Sequence, residues 1–238
     1  MKKGFLLMFS IFSSLLSLFS CKPKGEINFT IVETTDIHGM IFPYNFITDK
    51  EENTSMANIC SYIKKLKSEG KTVLLLDNGD TLQGQPTVYY YNFIATNEKH
   101  IWAEVLNYMN YDVVTMGNHD IETGHNVYDK IVKEIKAKVV VANLINEKTK
   151  EPYFKPYAII KKNGIKIAIL GMIEPAIERQ LPKILYEGII AEDMVECSKK
   201  WIEIIKEKEN PDMIVGLFHS GANYTEDKEK YKNENASQ

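Results

Sequence analysis

The 238 residues, 44% hydrophobic and 26% charged, suit one globular domain or slightly more. A formal net charge of −3, with most Lys and Arg close to Asp or Glu, advertises no basic face, so no nucleic-acid polymer is expected as a partner. The three cysteines include no Cys-x-x-Cys pair, which argues against a structural zinc site of that spacing.

The first residues read as targeting rather than fold. Lys2 and Lys3 precede an apolar and Ser-rich run from Phe5 to Phe19, a secretory signal pattern too short for a comfortable transmembrane helix. The run ends in Leu18-Phe19-Ser20-Cys21, which resembles a bacterial lipoprotein box with Phe19 bulkier than usual there. The expectation is a signal peptide over 1–20, lipidation at Cys21 and a polar tether over 21–26. Such an anchor places the chain at a bacterial cell envelope, facing the periplasm and held to the membrane by lipid. An ordinary signal with a chance cysteine is the plainer alternative. Cys60 and Cys197 lie in separate helical patterns, which favours two buried thiols over a disulfide.

From residue 27 the pattern alternates. Ile27 to Thr35 predicts a buried strand, followed by a loop from Phe42 to Asn53. Met56, Ile59, Ile63 and Leu66 recur at helical spacing, and Gly70 closes that helix. Thr72 to Leu76 is a continuous apolar run suited to a strand covered on both faces. Pro86 opens a helix, Ile101 to Met109 gives another helical stripe, and Asp112 to Thr115 a further strand. Val127, Ile131 and Ile135 mark the next helix, and Val139 to Asn143 another strand. Asn163-Gly164 between Tyr157–Ile160 and Ile165–Leu170 predicts a tight hairpin. A helix over Glu192–Lys208 turns Val195, Trp201, Ile202 and Ile205 inward, and Met213 to Phe218 is a strand delivering His219. Strand-helix alternation plus a hairpin predicts an α/β fold with mixed sheets. After Tyr224 the chain turns polar with no apolar closing element, an ending that suggests a fold continuing past Gln238.

Four polar motifs follow apolar runs: Asp36-Ile37-His38-Gly39, Gly79-Asp80, Gly117-Asn118-His119-Asp120 and His219-Ser220-Gly221. In open α/β sheets, sites collect at the carboxyl ends of strands, so the four are expected to converge. Asp and His one residue apart on a strand share a face. Carboxylate, imidazole and amide oxygen suit Zn, Mn or Fe better than Ca. Asp80 is the best placed to bridge two ions, and two ions about 3.5–4 Å apart can hold a hydroxide and clamp a phosphate. Taken singly, each motif has a blander reading: Asp36 as a turn cap, Gly79-Asp80 as a turn, His219 as a hydrogen-bonded core histidine.

As an ordered set, these motifs resemble the calcineurin-like metallophosphoesterases. The particular likeness is to the envelope 5′-nucleotidase and 2′,3′-cyclic-nucleotide 2′-phosphodiesterase family. Thr34-Thr35-Asp36-Ile37-His38-Gly39, Asp77-Asn78-Gly79-Asp80 with Gln83-Gly84 and Pro86, Val141-Ala142-Asn143 and Phe218-His219-Ser220-Gly221 carry it. The resemblance implies a metallophosphatase-type α-β-β-α sandwich over 27–238. It implies hydrolysis of nucleotides or small phosphate esters by a hydroxide activated by two divalent ions (Zn, Mn, Fe or Co). Asp36 and His38 would hold the first ion, Asp80 both, and Asn118 and His219 the second, with Asn118 also near the phosphate. His119 would stabilise the transition state or protonate the leaving oxygen, oriented by a carboxylate. Nucleotidase members carry Asp three residues after that histidine; Glu122 stands here, which leans toward the phosphodiesterase branch. Asp120 stands where many members have Glu.

The family's catalytic domain next supplies a Gly-His-x-His motif, and a separate carboxyl-terminal domain sandwiches the base between aromatic rings. Neither is in this sequence. The resemblance therefore predicts a fold incomplete at its carboxyl end, with weak metal binding and reduced turnover for these 238 residues alone. Two alternatives stand beside it: a relative acting on other phosphorylated or sulfur compounds, and an inactive remnant that keeps the sheet.

Overall fold

The computed structural model describes residues 27–221. The expected signal peptide, Cys21, the tether and the polar stretch after Gly221 lie outside the described residues.

The chain lays down β1 (Thr30–Thr34), a small hairpin of β2 (Tyr44–Asn45) and β3 (Lys50–Glu51), α1 (Met56–Ser68) and β4 (Val73–Asp77). There follow α2 (Pro86–Phe93), α3 (Ile101–Met109), β5 (Val113–Val114), the single turn α4 (Asn118–Ile121), α5 (His125–Glu134) and β6 (Lys138–Val139). The second half supplies β7 (Leu144–Asn146), β8 (Tyr157–Lys162), β9 (Ile165–Ile173), the short α6 (Ile177–Gln180), β10 (Ile189–Ala191), α7 (Met194–Glu209) and β11 (Met213–His219).

β1, β4, β5 and β6 form a parallel sheet in that order. β11 pairs in parallel with β9, which pairs antiparallel with β8, and β7 pairs antiparallel with β10. Side-chain alternation divides each strand between two cores. On β4, Val73 and Leu75 pack against the α1, α3 and α5 residues Ile63, Trp102, Leu106 and Ile131. Leu74 and Leu76 point the other way and meet Ile160, Ile167, Ile169 and Leu217 of the second sheet. On β9, Ala168, Leu170 and Met172 face outward onto Met194, Cys197 and Ile205 of α7. The layers are helix, sheet, sheet, helix, and the mixed α/β expectation holds among the described residues. A strand buried on both faces explains the uninterrupted apolar run of β4.

Local signals act where the sequence places them. Ser55 caps α1 by accepting the Asn58 N–H, Pro86 opens α2, and Asn163 and Gly164 take positive φ in the β8–β9 turn.

Three expectations shift. The strand read over Val139–Asn143 is two pieces: β6 ends at Val139, and the chain leaves the first sheet for β7 at Leu144. Buried Asn143 manages the crossing, accepting the Ile173 N–H at 3.0 Å and donating to the carbonyls of Ile173 and Glu192 at 2.7 and 3.2 Å. A hydrophobic run cannot reveal that change of partner, because every residue from Val139 to Leu144 is buried either way. On α7 the fully buried positions are Met194, Cys197 and Ile205, with Trp201 and Ile202 half-buried. Cys60 and Cys197 are both free thiols, but only Cys197 is fully buried; Cys60 is half-buried.

Candidate metal centre

β1 and β4 end side by side, at Thr34 opposite Asp77, and the loops that follow keep pairing. The Asp36 N–H donates to Gly79 O and the His38 N–H to Asp80 O, each at 3.0 Å. Asp36, His38 and Asp80 all adopt left-handed backbone, with φ of 53°, 48° and 57°. Asp36 and His38 therefore share a direction because the chain is coiled beyond the strand, not through strand alternation as the sequence suggested. Three non-glycine residues at positive φ in one loop pair is a concentration of local strain of the kind found at functional sites. One ligand-capable atom from each of Asp36, His38 and Asp80 lies within 4.8 Å of the others. His38 Nε2 stands 3.9 Å from Asp36 Oδ1.

The second side of Asp80 meets the other motifs. His219, at the end of β11, brings Nε2 to 3.3 Å from Asp80 Oδ2 and 3.2 Å from Asn118 Oδ1. The His119 N–H donates to Asp80 Oδ1 at 2.9 Å. All the residues expected at the site within the described range thus come together: Asp36, His38, Asp80, Asn118, His219, and His119 with Glu122. Burial works against a charged His219, yet the pair with Asp80 outweighs it and raises the imidazole to about 9. Burial likewise opposes the Asp80 carboxylate, and the His219 pairing lowers it below its usual range. Both shifts have one cause, the close His219–Asp80 pair.

The ring orientations are set from behind. His219 Nδ1 donates to Asn78 O at 2.7 Å, and His38 Nδ1 to Gln83 O at 3.2 Å. Each leaves Nε2 toward Asp80 or Asp36, the arrangement by which outer partners orient metal-binding imidazoles. His119 Nδ1 pairs with Glu122 Oε2 at 2.5 Å, and the His119 ring stands edge-on to His38 with centroids 5.5 Å apart.

Two glycines are explained by close approach. A Cβ on Gly117 would lie 2.1 Å from Asp80 Oδ1, so the glycine before Asn118 serves contact with Asp80. Its φ of −101° by itself needs no glycine; the close approach does. Gly84, at φ +125°, would carry a Cβ 2.4 Å from the His38 carbonyl oxygen. Gln83 and Gly84, without an assignable contact in the sequence, hold His38.

The supports of the site were not legible in the sequence. Asp120, 1% exposed, accepts the N–H groups of Asp80, Thr81, Leu82 and Gly117 at 2.8–2.9 Å, and the Thr81 hydroxyl at 3.1 Å. Its carboxyl is nonetheless pushed up, by burial first and then by the charge of Asp80. The signal was an acidic residue three positions after Gly117, at the third residue of a helix. Beneath the site Asp77, 0% exposed, accepts the Thr34 hydroxyl at 2.6 Å, and the Tyr111 hydroxyl is hydrogen-bonded to that of Thr34 at 2.9 Å. Burial pushes Asp77 up to about 8, with Asp120 adding to the rise.

An oxygen- and imidazole-rich set converging from four strand ends on one buried carboxylate, within a helix-sheet-sheet-helix sandwich, defines a metallophosphoesterase class of protein. The chain belongs to the calcineurin-like phosphoesterase family, whose model matches residues 29–236. It is 30% identical over 212 residues to the 2′,3′-cyclic-nucleotide 2′-phosphodiesterase/3′-nucleotidase of Haemophilus influenzae, covering 84% of this chain and 32% of that protein. It is 30% identical over 197 residues to the 5′-nucleotidase of Vibrio parahaemolyticus, covering 81% of this chain and 33% of the relative. The crystal structure of the calcineurin-like phosphoesterase YfkN from Bacillus subtilis superposes with a TM-score of 0.75 at 29% identity, over 83% of this chain and 63% of that one. The chain spans about a third of the length of the curated relatives named here. The family uses divalent metals, and the Asp36, His38 and Asp80 group fits one by donor type and spacing.

Proposed function

We propose that this chain carries the catalytic machinery for hydrolysing phosphate esters of nucleotides, of the 5′-nucleotidase or 2′,3′-cyclic phosphodiesterase type, with two divalent ions bound. The observation that carries the reading is the position of Asp80, with Asp36 and His38 grouped beside it and His219 Nε2 at 3.3 Å from its Oδ2. Asp36, His38 and Asp80 would hold one ion, and Asp80, Asn118 and His219 the other. When bound, two such ions (Zn, Mn, Fe or Co) polarise a phosphoryl group and lower the pKa of a water nucleophile.

The chain's own residues supply the rest. The Asn118 amide nitrogen would donate to a phosphoryl oxygen, while its Oδ1 faces His219 Nε2 at 3.2 Å. His119, held through Nδ1 by Glu122, keeps Nε2 for the leaving oxygen, which it protonates or stabilises as negative charge develops. The identity of the relatives supports nucleotides as the substrate class.

The test is hydrolysis of a chromogenic phosphate diester and monoester by the purified chain with added Mn or Co, beside an Asp80→Asn variant. Metal-dependent turnover that collapses in the variant is the expected result; equal rates in parent and variant would sink the two-metal mechanism. The signal pattern and Cys21 support a further reading of the same protein as an envelope lipoprotein. Labelled fatty acid should enter the parent in a bacterial host and not a Cys21→Ser variant; equal labelling removes the anchor.

A further inference from the structure

Gln85 stands between Gln83-Gly84 and Pro86, which carried the family resemblance, and is not itself part of it. It is the N-cap of α2, 5% exposed, and its side chain makes no cap bond to the helix. It faces the site instead. Its backbone N–H donates to the His38 carbonyl at 3.0 Å. Its side-chain amide meets the β2–β3 hairpin: Nε2 donates to Asn45 Oδ1 and Oε1 accepts the Phe46 N–H, each at 3.0 Å. One residue thus closes both ends of the loop that leaves His38 and arrives at Asn45. Asn45 Oδ1 carries the contact into the hairpin, where it also accepts the N–H groups of Ile47 and Thr48 at 2.9 and 3.1 Å.

His38 needs such an anchor. Its left-handed backbone, at φ 48°, persists in a non-glycine residue only where the surroundings over-determine it. The Asp80 carbonyl accepts the His38 N–H, and Gln83 O holds Nδ1. Those bonds fix how the chain enters His38; Gln85 fixes how it leaves. A Cβ on Gly39 would lie 2.6 Å from a Val88 methyl and 3.2 Å from the Gln85 Cβ, so the departing chain lies against the first turn of α2. The ring and the carbonyl of His38 hang on one Cα, so a carbonyl free to swing would carry the imidazole away from Asp36 and Asp80. We infer that Gln85 is a positioning residue: by closing the loop over 39–45 it fixes the His38 imidazole and so sets the affinity for the first ion. The inference rests on the reading above, in which Asp36, His38 and Asp80 hold that ion. A buried amide suits this task, because its donor and its acceptor are both satisfied by the hairpin and opening the loop would leave them unpaired.

The test uses the full chain, first without metal and then with Mn added. Gln85→Leu keeps most of the side-chain volume and removes the amide; Asn45→Ala removes its partner. In the metal-free chain the imidazole ¹⁵N signals of His38 should move in both variants. Those of His100 and His125, which sit in hydrogen-bond networks of their own, should stay where they are. Mn affinity by calorimetry should fall about 10–100-fold in each variant, the usual effect of losing a partner that orients a metal-binding residue. The double variant should lose no more than either single one, since both break the same link. Unmoved His38 signals, parental Mn affinity or full additivity in the double variant each overturn the inference. So does a shift of all three histidines together, which marks a general loosening of the fold. If the parent binds no Mn, the proposed function fails, while the His38 signals still decide whether Gln85 positions the ring.

Discussion

Asp120 Oδ2 accepts the backbone N–H of Asp80 at 2.8 Å, and through that bond the loop after β5 is tied to the residue at the centre of the site. Asp120 satisfies three successive N–H groups of the Asp80–Leu82 segment together with that of Gly117. Replacing it by Ala leaves these donors buried without partners, at roughly 1–3 kcal/mol for each one that finds no water. Asp120→Ala should therefore lose at least ~3 kcal/mol in urea unfolding and bind Mn more weakly than the parent in calorimetry. A variant with parental stability would mean the loops are positioned by something else.

Gly84 packs against the His38 carbonyl in a backbone conformation that other residues rarely adopt. Gly84→Ala should displace His38, with a strain cost of ~1–3 kcal/mol. Metal affinity should drop by more than stability does, because the shift falls on a ligand-bearing loop. The contrast is Gly70→Ala, where no atom lies within 4 Å of the added Cβ: there the positive φ alone costs stability, and affinity should stay put.

His119 and Glu122 form a pair whose loss should appear in turnover. His119→Ala should lower kcat by about 10²–10⁴-fold, the usual worth of a positioned general acid. Glu122→Gln keeps the size of the side chain and removes the charge that holds Nδ1. It should lower kcat by a smaller factor than His119→Ala. Both residues are at the surface of the site, so circular dichroism and melting should match the parent; equal kcat in His119→Ala would remove the proton-donor role.

Asp77 gives the fold a pH dependence. Burial raises its carboxyl from 3.8 to about 8 in the folded chain. The folded state thus holds this proton more tightly than the unfolded state. The stability it contributes is full below pH 3.8 and is lost progressively as pH rises through about 8. At ~1.4 kcal/mol per unit, the change is on the order of several kcal/mol across that window. Asp77→Asn cannot ionise, so urea midpoints for parent and variant should converge or cross between pH 5 and pH 8, with the parent losing ground at the higher pH. A constant gap at both values would show that Asp77 stays ionised in the fold.

Much of the architecture was legible because it rests on periodicity. The alternation of β4 and β9 and the 3.6-residue stripes of α1 and α3 follow from burying one face or two, which is written in local spacing. The path from Val139 to Asn146 was not legible, since a buried run reads the same whether it keeps its sheet or changes it. Motif order was enough to group Asp36, His38, Asp80, Asn118 and His219.

How those residues meet was decided by tertiary structure. The left-handed loops at Asp36, His38 and Asp80 are held by pairing between segments more than forty residues apart, and no local signal encodes that pairing. The buried carboxylate of Asp120 looked in sequence like a neighbour of His119; its work is done on residues forty positions earlier. Which chemical groups are available and which faces are apolar can be read from the chain alone, because both are local properties. The distances among those groups, and the contact by which Gln85 closes the loop after His38, exist only once two sheets pack and bring distant strand ends to one edge.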